Sequence, residues 1–157
     1  MTSHQLILLG PPGADVAAQA MQVAEQWQVP CVSMKKLMRE AVLSESAVGQ
    51  AVRSCREKGE PVPDELLLKL LRKRFEQPDV MLKGWVLEGF PTTLAQAEGV
   101  DQLLSACGLD AAEGAYIKAS TGILINRLSQ ESGESVSVLR GQITAYKEEI
   151  IPVMEYY

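Results

Sequence analysis

The N-terminal part of the chain combines an apolar run with a turn of glycine and proline, and it reads LILLGPPGADVAAQA from Leu6 to Ala20. Four apolar residues ended by Gly10 are typical of a strand that is buried on both faces of a parallel sheet. The residues from Asp15 to Trp27 have the apolar spacing of a helix. This order predicts a strand, a glycine turn and a helix, with the turn at the carboxyl end of the strand.

The remainder of the chain alternates short apolar segments with longer amphipathic ones. The predicted strands cover residues 6–9, 29–33, 85–87 and 115–118, and the predicted helices cover residues 15–27, 34–43, 47–58, 64–75, 93–106, 122–130 and 136–154. Strands separated by helices imply parallel pairing with right-handed crossovers. The predicted fold class is therefore α/β, a single domain over residues 1–157 with a parallel sheet of about four strands and helices on both faces.

The composition excludes several classes of protein. With 46% hydrophobic and 22% charged residues over 157 positions, the chain can bury one core, so disorder and coiled coil are excluded. No segment approaches the roughly 20 apolar residues of a membrane-spanning helix, and no secretory signal is recognisable. The net charge of -5 does not favour nucleic-acid binding. We expect a cytoplasmic protein with neither nucleic acid nor a membrane as its partner.

One histidine and three cysteines restrict the available chemistry. A Ser-His-Asp or Cys-His nucleophile needs a central imidazole, and zinc sites need histidine or clustered cysteine. His4 stands beside the first predicted strand, while Cys31, Cys55 and Cys107 are widely spaced and form no Cys-x-x-Cys pair. We therefore expect no catalytic histidine, no metal site and no disulfide framework.

Two turns follow predicted strands and are candidates for a ligand site. The first covers residues 10–14 (GPPGA) and the second covers residues 88–91 (EGFP). In an α/β sheet, ligands bind outside the carboxyl ends of the strands, where glycine lets the backbone approach a phosphate group at a helix N-terminus. A phosphate-binding loop continues with Gly-Lys-Ser or Gly-Lys-Thr, whereas residues 15–18 of this chain are DVAA. The first turn has the shape of a phosphate cradle without its lysine.

From residue 5 to its end the chain resembles the adenylate kinases, a family of nucleoside monophosphate kinases. The family's glycine loop reads Gly-x-Pro-Gly-x-Gly-Lys-Gly-Thr-Gln-Ala, and residues 10–20 read GPPGADVAAQA. The family segments Asp-Gly-Phe-Pro-Arg-Thr and Pro-Gln-Ala resemble EGFPTT at 88–93 and AQA at 95–97. GEPVPDEL at 59–66 resembles the family's Gly-x-x-Val-x-Asp-Glu-Leu. These segments occur in the family's order over nearly the whole chain.

The resemblance implies an adenylate-kinase-like arrangement of the P-loop NTPase type with two inserted regions. A small helical insertion of the AMP-binding type should span about 34–76, and a short lid should span about 129–136. The family normally continues after its Tyr-Tyr pair with one more strand and a helix, and this sequence stops at Tyr157. The sequence leaves two alternatives open: the natural protein has a four-strand sheet, or it continues beyond Tyr157.

The resemblance also assigns nucleotide-binding roles to particular positions. The corresponding residues here are Gly10, Gly13, Arg39, Val62, Gly89, Phe90, Gln96 and Arg127. Arg39 corresponds to the arginine that pairs with the AMP phosphate, and Arg127 to the arginine that lies against the ATP adenine. AMP or another adenine nucleotide is therefore the expected ligand. The alternative interpretation is that both arginines are solvated helix residues and that Gln96 is a surface amide.

The positions that handle the transferred phosphoryl group in the family have changed. The replacements are Val16 for lysine, Ala18 for threonine, Thr92 for arginine, Glu88 for aspartate, and Met34-Lys35-Lys36 for Thr-Gly-Asp. The region from 128 to 139, where the lid should lie, contains no basic residue. Phosphoryl transfer depends on positioned positive charge, and each such group is worth about 10²-fold or more. We therefore predict that no catalytic residue remains and that phosphotransfer is lost.

Three hypotheses about function remain. The chain is a nucleotide-binding regulatory protein, a protein-interaction module that keeps only the fold, or a low-activity kinase that converts ATP and AMP to two ADP. The retained Arg39, Gln96 and Arg127 favour the first hypothesis over the second. The loss of the loop lysine and the absence of basic residues from the lid disfavour the third.

The outer edge of the predicted strand Ala115–Lys118 is a further candidate site. In the family this strand lies beside the final strand, so its outer row of backbone groups would be unpaired here. An unpaired edge is a template for another strand. The Tyr156-Tyr157 tail, a second copy of the chain or a partner strand could cover it, and we expect a protein partner or self-association at this edge.

Overall fold

The computed structural model describes residues 4–157. Four strands are present in this part of the chain: β1 (His4–Leu9), β2 (Cys31–Ser33), β3 (Gly84–Glu88) and β4 (Glu113–Tyr116). They form one parallel sheet in the order β2-β3-β1-β4. The prediction of an α/β fold with a parallel sheet of about four strands is confirmed.

Helices connect and cover these strands. They are α1 (Val16–Trp27), α2 (Met34–Leu43), α3 (Ala47–Lys58), α4 (Asp64–Phe75), α5 (Pro78–Lys83), α6 (Leu94–Ala106), α7 (Thr121–Ser132) and α8 (Val136–Tyr156). Five of them begin after a serine or threonine whose side-chain oxygen accepts a hydrogen bond from the backbone N–H three residues later: Ser33, Ser46, Thr93, Ser120 and Ser135. Such caps satisfy N–H groups that have no partner within the helix, and they fix where each helix starts.

The strand register brings the two glycine turns together. Leu8 of β1 lies opposite Glu88 of β3 on one side and opposite Ala115 of β4 on the other. Both β1 and β3 therefore end at the same edge of the sheet, one residue before Gly10 and Gly89, respectively. Because parallel strands present their carboxyl ends on one edge, the turns that follow them form neighbouring walls of one cleft.

The core fills both faces of the sheet, because successive side chains of a strand point to opposite faces. On one face, Ile7 and Leu9 of β1 join the buried side chains of α6 and α8, such as Val100 and Ile150. On the other face, Leu8 packs with residues of α1 such as Ala20 and Ala24, together with Val86 of β3. This two-sided burial explains the continuous apolar run of the first strand.

The helical segment α2–α4 contains a second, smaller core. Ala41, Val52 and Leu70 are buried there, one from each helix. Gly49 lets α2 and α3 approach closely, because a Cβ atom at this position would lie 1.8 Å from the carbonyl oxygen of Ala41. The segment is thus packed tightly within itself.

Two elements differ from the sequence prediction. The fourth strand is Glu113–Tyr116 and not Ala115–Lys118, because pairing along β4 stops opposite Leu9, the last residue of β1. Glutamate and glycine are poor strand formers, so the start of β4 lacks a sequence signal. Helix α5 was absent from the prediction, since its six residues are too few to show a helical period.

None of the helices in residues 4–157 combines the length and the apolar character of a membrane-spanning helix.

Candidate functional site

A cleft of about 480 Å³ opens at the carboxyl ends of β1 and β3. One wall is the glycine loop, residues 10–17, and the opposite wall is the β3 turn, residues 88–92. Three side chains from helices complete the lining: Lys35 of α2, Glu131 of α7 and Tyr146 of α8. The cleft is thus built from five separate parts of the sequence.

The glycine loop keeps a defined backbone shape. Gly13 has φ +86°, and a Cβ atom there would lie 3.0 Å from the Leu124 carbonyl oxygen and 3.1 Å from Leu128 Cγ. Asp15 takes a left-handed conformation at φ 54°, which aspartate tolerates better than most residues, although its family counterpart is glycine. The Ala14 N–H donates to the Pro11 carbonyl oxygen at 3.1 Å and closes the turn. The side chains of the loop determine what this backbone can hold.

Those side chains do not fit a triphosphate with magnesium, which the fold family implies as a substrate. The first turn of α1 offers Val16, Ala17 and Ala18, which carry neither a charge nor an oxygen for a metal ion. Val16 is partly buried against Ile117 and Ala14, with its Cγ2 atom packed against Gly10. Asp15 makes no side-chain cap, so its exposed carboxylate stays at the positive end of the helix.

The β3 turn contributes an acid and a backbone approach. Glu88 is 9% exposed, and its side chain lines the cleft. Gly89, at φ +77°, lies against the start of α2, where a Cβ atom would be 3.8 Å from Met34 Cβ. Phe90 is buried in the main core and anchors the turn to the sheet.

Behind this turn, Gln96 forms a network of hydrogen bonds. Its Oε1 atom accepts from the Thr92 backbone N–H at 2.8 Å and from Thr92 Oγ1 at 3.0 Å. Its Nε2 atom donates to Asp64 Oδ1 at 2.7 Å. Gln96 is 7% exposed and does not line the cleft. The amide that the resemblance assigned to AMP therefore holds protein groups in this structure.

Helix α2 carries two lysines and an arginine near the cleft. Ser33 Oγ accepts from the Lys36 backbone N–H at 3.4 Å and caps the helix. Lys35 lines the cleft, and Arg39 stands four residues later on the same side of the helix. Within residues 4–157 neither side chain forms an ion pair. Both charges are therefore available to an anion.

Of the residues predicted from the sequence, Gly10, Gly13, Gly89 and Phe90 line the cleft together. Arg127 lies beside the loop and donates from Nη1 to the Gly13 carbonyl oxygen at 3.3 Å. The other three, Arg39, Val62 and Gln96, lie outside the lining, and Val62 is half-buried against two core clusters. Sequence reasoning missed Glu131 and Tyr146, whose positions depend on how α7 and α8 pack against the loop.

The electrostatics of the cleft are unfavourable for polyanions. Among the described residues that line it, Asp15, Glu88 and Glu131 are carboxylates and Lys35 carries the one positive charge. Burial raises the pKa of Tyr146 to about 12, and a hydrogen bond with the Gly10 backbone offsets part of that rise. The phenol is therefore neutral at pH 7, and the lining has an excess of negative charge.

A parallel sheet whose first strand runs through a glycine loop into a helix, with a cleft at the strand ends, defines the P-loop type of α/β protein. Comparison with known proteins gives the family: the model for adenylate kinase matches residues 8–157. The chain belongs to the adenylate kinase family.

Individual relatives agree with this assignment. An adenylate kinase from Methylobacterium nodulans is 32% identical over 165 residues, covering 98% of this chain and 82% of the relative. Adenylate kinase 1 of a Nostoc species is 32% identical over 155 residues, covering 98% and 84%. An adenylate kinase from Archaeoglobus fulgidus is 44% identical over 99 residues, covering 63% of this chain and 45% of the relative.

Proposed function

We propose that this member of the adenylate kinase family binds a nucleoside monophosphate, has lost phosphotransfer, and acts as a nucleotide-binding regulatory protein. The charge of the cleft carries the proposal: among the described residues that line it, three carboxylates face one lysine. An active site for phosphoryl transfer requires the opposite balance, because catalysis consists of positioning and of stabilising negative charge.

The loop side of the cleft opposes a triphosphate. Asp15 and Glu131 line the cleft beside the loop amides that would hold phosphate groups. Both carboxylates are exposed, so solvent and salt weaken their repulsion of a phosphate group without reversing its sign. Val16 offers no compensating charge. ATP therefore meets repulsion where an active kinase supplies attraction.

The α2 side favours an anion of low charge. Lys35 and Arg39 are the positive groups there, and neither forms an ion pair within residues 4–157. In this proposal the helical segment of about 34–76 is the monophosphate-binding insertion, and residues of about 129–136 are a shortened lid. The proposal keeps the cytoplasmic location expected from the composition.

Calorimetric titration with AMP, ADP and ATP, with and without magnesium, combined with a coupled assay for ADP formation, tests the proposal. We expect AMP to bind more tightly than ATP, and ADP formation below about 0.01 per second, since kinases turn over at about 1–100 per second. Arg39→Ala should weaken AMP binding, whereas Val16→Ala should leave it unchanged. A faster turnover would contradict the loss of phosphotransfer.

The relatives are named as adenylate kinases, and this favours a second candidate function. In this alternative the protein is a low-activity adenylate kinase that converts ATP and AMP to two ADP. In that case a positive group must come from outside the described cleft, for example from a second subunit. The same assay separates the candidates. If the rate of ADP formation per protein molecule rises with protein concentration, the result supports the kinase. A rate that does not rise supports the first proposal.

We also propose that the outer edge of β4 binds a second copy of the chain or another protein strand. Within residues 4–157, β4 has a strand neighbour only on its β1 side, and Glu113 to Ala115 are exposed, while Tyr157 packs against Gly114. A groove of about 530 Å³ lies beside it, with Ile151 and Met154 in its lining. Amide hydrogen exchange at residues 113–116 should be fast in the monomer and slow in an assembly. Slow exchange in a monomer proven by sedimentation would contradict this proposal.

A further inference from the structure

We infer that Lys35 is the residue of the cleft lining that contacts a single phosphate group, and that the carboxylates of the same lining restrict the ligand to a monophosphate. This inference rests on the proposed nucleotide binding. Lys35 replaces a residue that the family leaves as glycine, so its charge is an addition and not a retained contact. It lines the cleft from α2, whereas the loop side contributes Asp15, Val16 and Ala17.

The position of Lys35 is set by two contacts. Ser33 caps α2 through the Lys36 N–H, which fixes the first turn of the helix. Gly89 then lies against Met34, so that the start of α2 abuts the β3 turn. These contacts leave the side chain of Lys35 in the cleft lining, and within residues 4–157 no carboxylate pairs with it.

Charge balance in the cleft gives the ligand class. A phosphate group that contacts Lys35 gains a charge-assisted hydrogen bond, which is stronger than a neutral one. Further phosphate groups would lie in a lining that also holds Asp15, Glu88 and Glu131, and their added negative charge would be repelled. The uncharged Tyr146 phenol adds no positive group. Among adenine ligands, a monophosphate should therefore bind more tightly than adenosine, ADP or ATP.

The test compares adenosine with AMP, by calorimetry without magnesium, on the wild type, Lys35→Met and Lys36→Met. Lys36 is the matched control, because it stands next in the same helix, is exposed, and does not line the cleft. We expect the wild type to bind AMP about 10-fold more tightly than adenosine, the value of one charge-assisted hydrogen bond. Lys35→Met should bring this ratio close to one, and Lys36→Met should keep it.

A second variant tests the carboxylates. Glu131→Gln removes a charge from an exposed residue of α7 without a change of size. It should raise the affinity for ATP relative to AMP severalfold, and added salt should reduce that change. Thermal unfolding of each variant verifies that the fold is intact.

The outcomes separate this inference from the proposed function. If AMP binds but Lys35→Met keeps the ratio of AMP to adenosine affinity, Lys35 is not the phosphate contact, and nucleotide binding stands. If Glu131→Gln leaves the ratio of ATP to AMP affinity unchanged, the carboxylates do not select the ligand. If the wild type binds none of the nucleotides at millimolar concentration, both the inference and the proposed nucleotide binding are overturned.

Discussion

The two walls of the cleft are built differently. The glycine loop is defined by its backbone, with Gly13 at φ +86° and Asp15 in a left-handed conformation, and its lining side chains include Asp15 and Val16 but no positive charge. The β3 turn is held by side-chain hydrogen bonds, because the amide of Gln96 behind it is bonded to Thr92 and Asp64. One wall therefore depends on backbone packing, and the other depends on hydrogen bonds.

This difference has a physical origin. The loop backbone is held by packing, since Gly13 lies against Leu124 and Leu128 of α7. The β3 turn has free space at Gly89, where a Cβ atom would make only ordinary contacts with Met34. We therefore expect the loop wall to be the less tolerant of added volume, and the β3 wall to depend more on its hydrogen bonds.

The largest expected effect compares one glycine from each wall. Gly13→Ala should destabilise the protein by about 2–4 kcal/mol, because strain at positive φ adds to a clash with the backbone of α7. Gly89→Ala should cost only about 1–2 kcal/mol, because strain acts there alone. Urea unfolding of both variants measures the difference. Equal losses would show that the walls do not differ in packing.

The next effect concerns the hydrogen bonds behind the β3 turn. Gln96→Ala should destabilise the protein by about 1–3 kcal/mol, because the buried amide loses its bonds to Thr92 and Asp64. Gln102→Ala is the control, since Gln102 is exposed on the same helix, and its effect should stay within about 0.5 kcal/mol. Unfolding free energies give the comparison. Similar values for both variants would contradict a structural role for Gln96.

The smallest effect is a dependence of stability on alkaline pH. The folded protein holds the Tyr146 proton more tightly than the unfolded chain does, because the pKa is raised to about 12. This contribution to stability is present below pH 10 and is lost between about pH 10 and pH 12. Tyr146→Phe should therefore flatten the fall in melting temperature over that range. Some slope should remain, since the pKa values of Tyr116 and Tyr157 are also raised by burial. An unchanged profile would contradict burial of the Tyr146 hydroxyl.

Much of the fold could be predicted because its signals are local. The apolar run before Gly10 and the inward leucines of α4 match buried positions in the structure. β4 was misplaced because its exposed glutamate and glycine are poor strand formers, and its bounds depend on where β1 ends. Short α5 had no periodic pattern to detect.

The site was predicted only in part, for a related reason. Glycines in turns are recognisable in a sequence. Gly10, Gly13 and Gly89, with Phe90 beside the last of them, line the cleft. Glu131 and Tyr146 reach the cleft through packing between distant segments, which no spacing reveals. The bond between Gln96 and Asp64 joins residues 32 positions apart, so its competition with a ligand was invisible in the sequence.

The hydrogen bond from Gln96 Nε2 to Asp64 Oδ1 also has a mechanical meaning. Asp64 begins α4, the last helix of the segment that starts with α2, and Gln96 lies in the first turn of α6, which packs on the sheet. The bond is therefore a tether across the junction of the helical segment and the sheet. Rotation of that segment as a rigid body would have to break the tether together with the contacts of Leu71 and Phe75 in the main core. A ligand that takes over the Gln96 amide would remove the polar part of this junction and leave its apolar part.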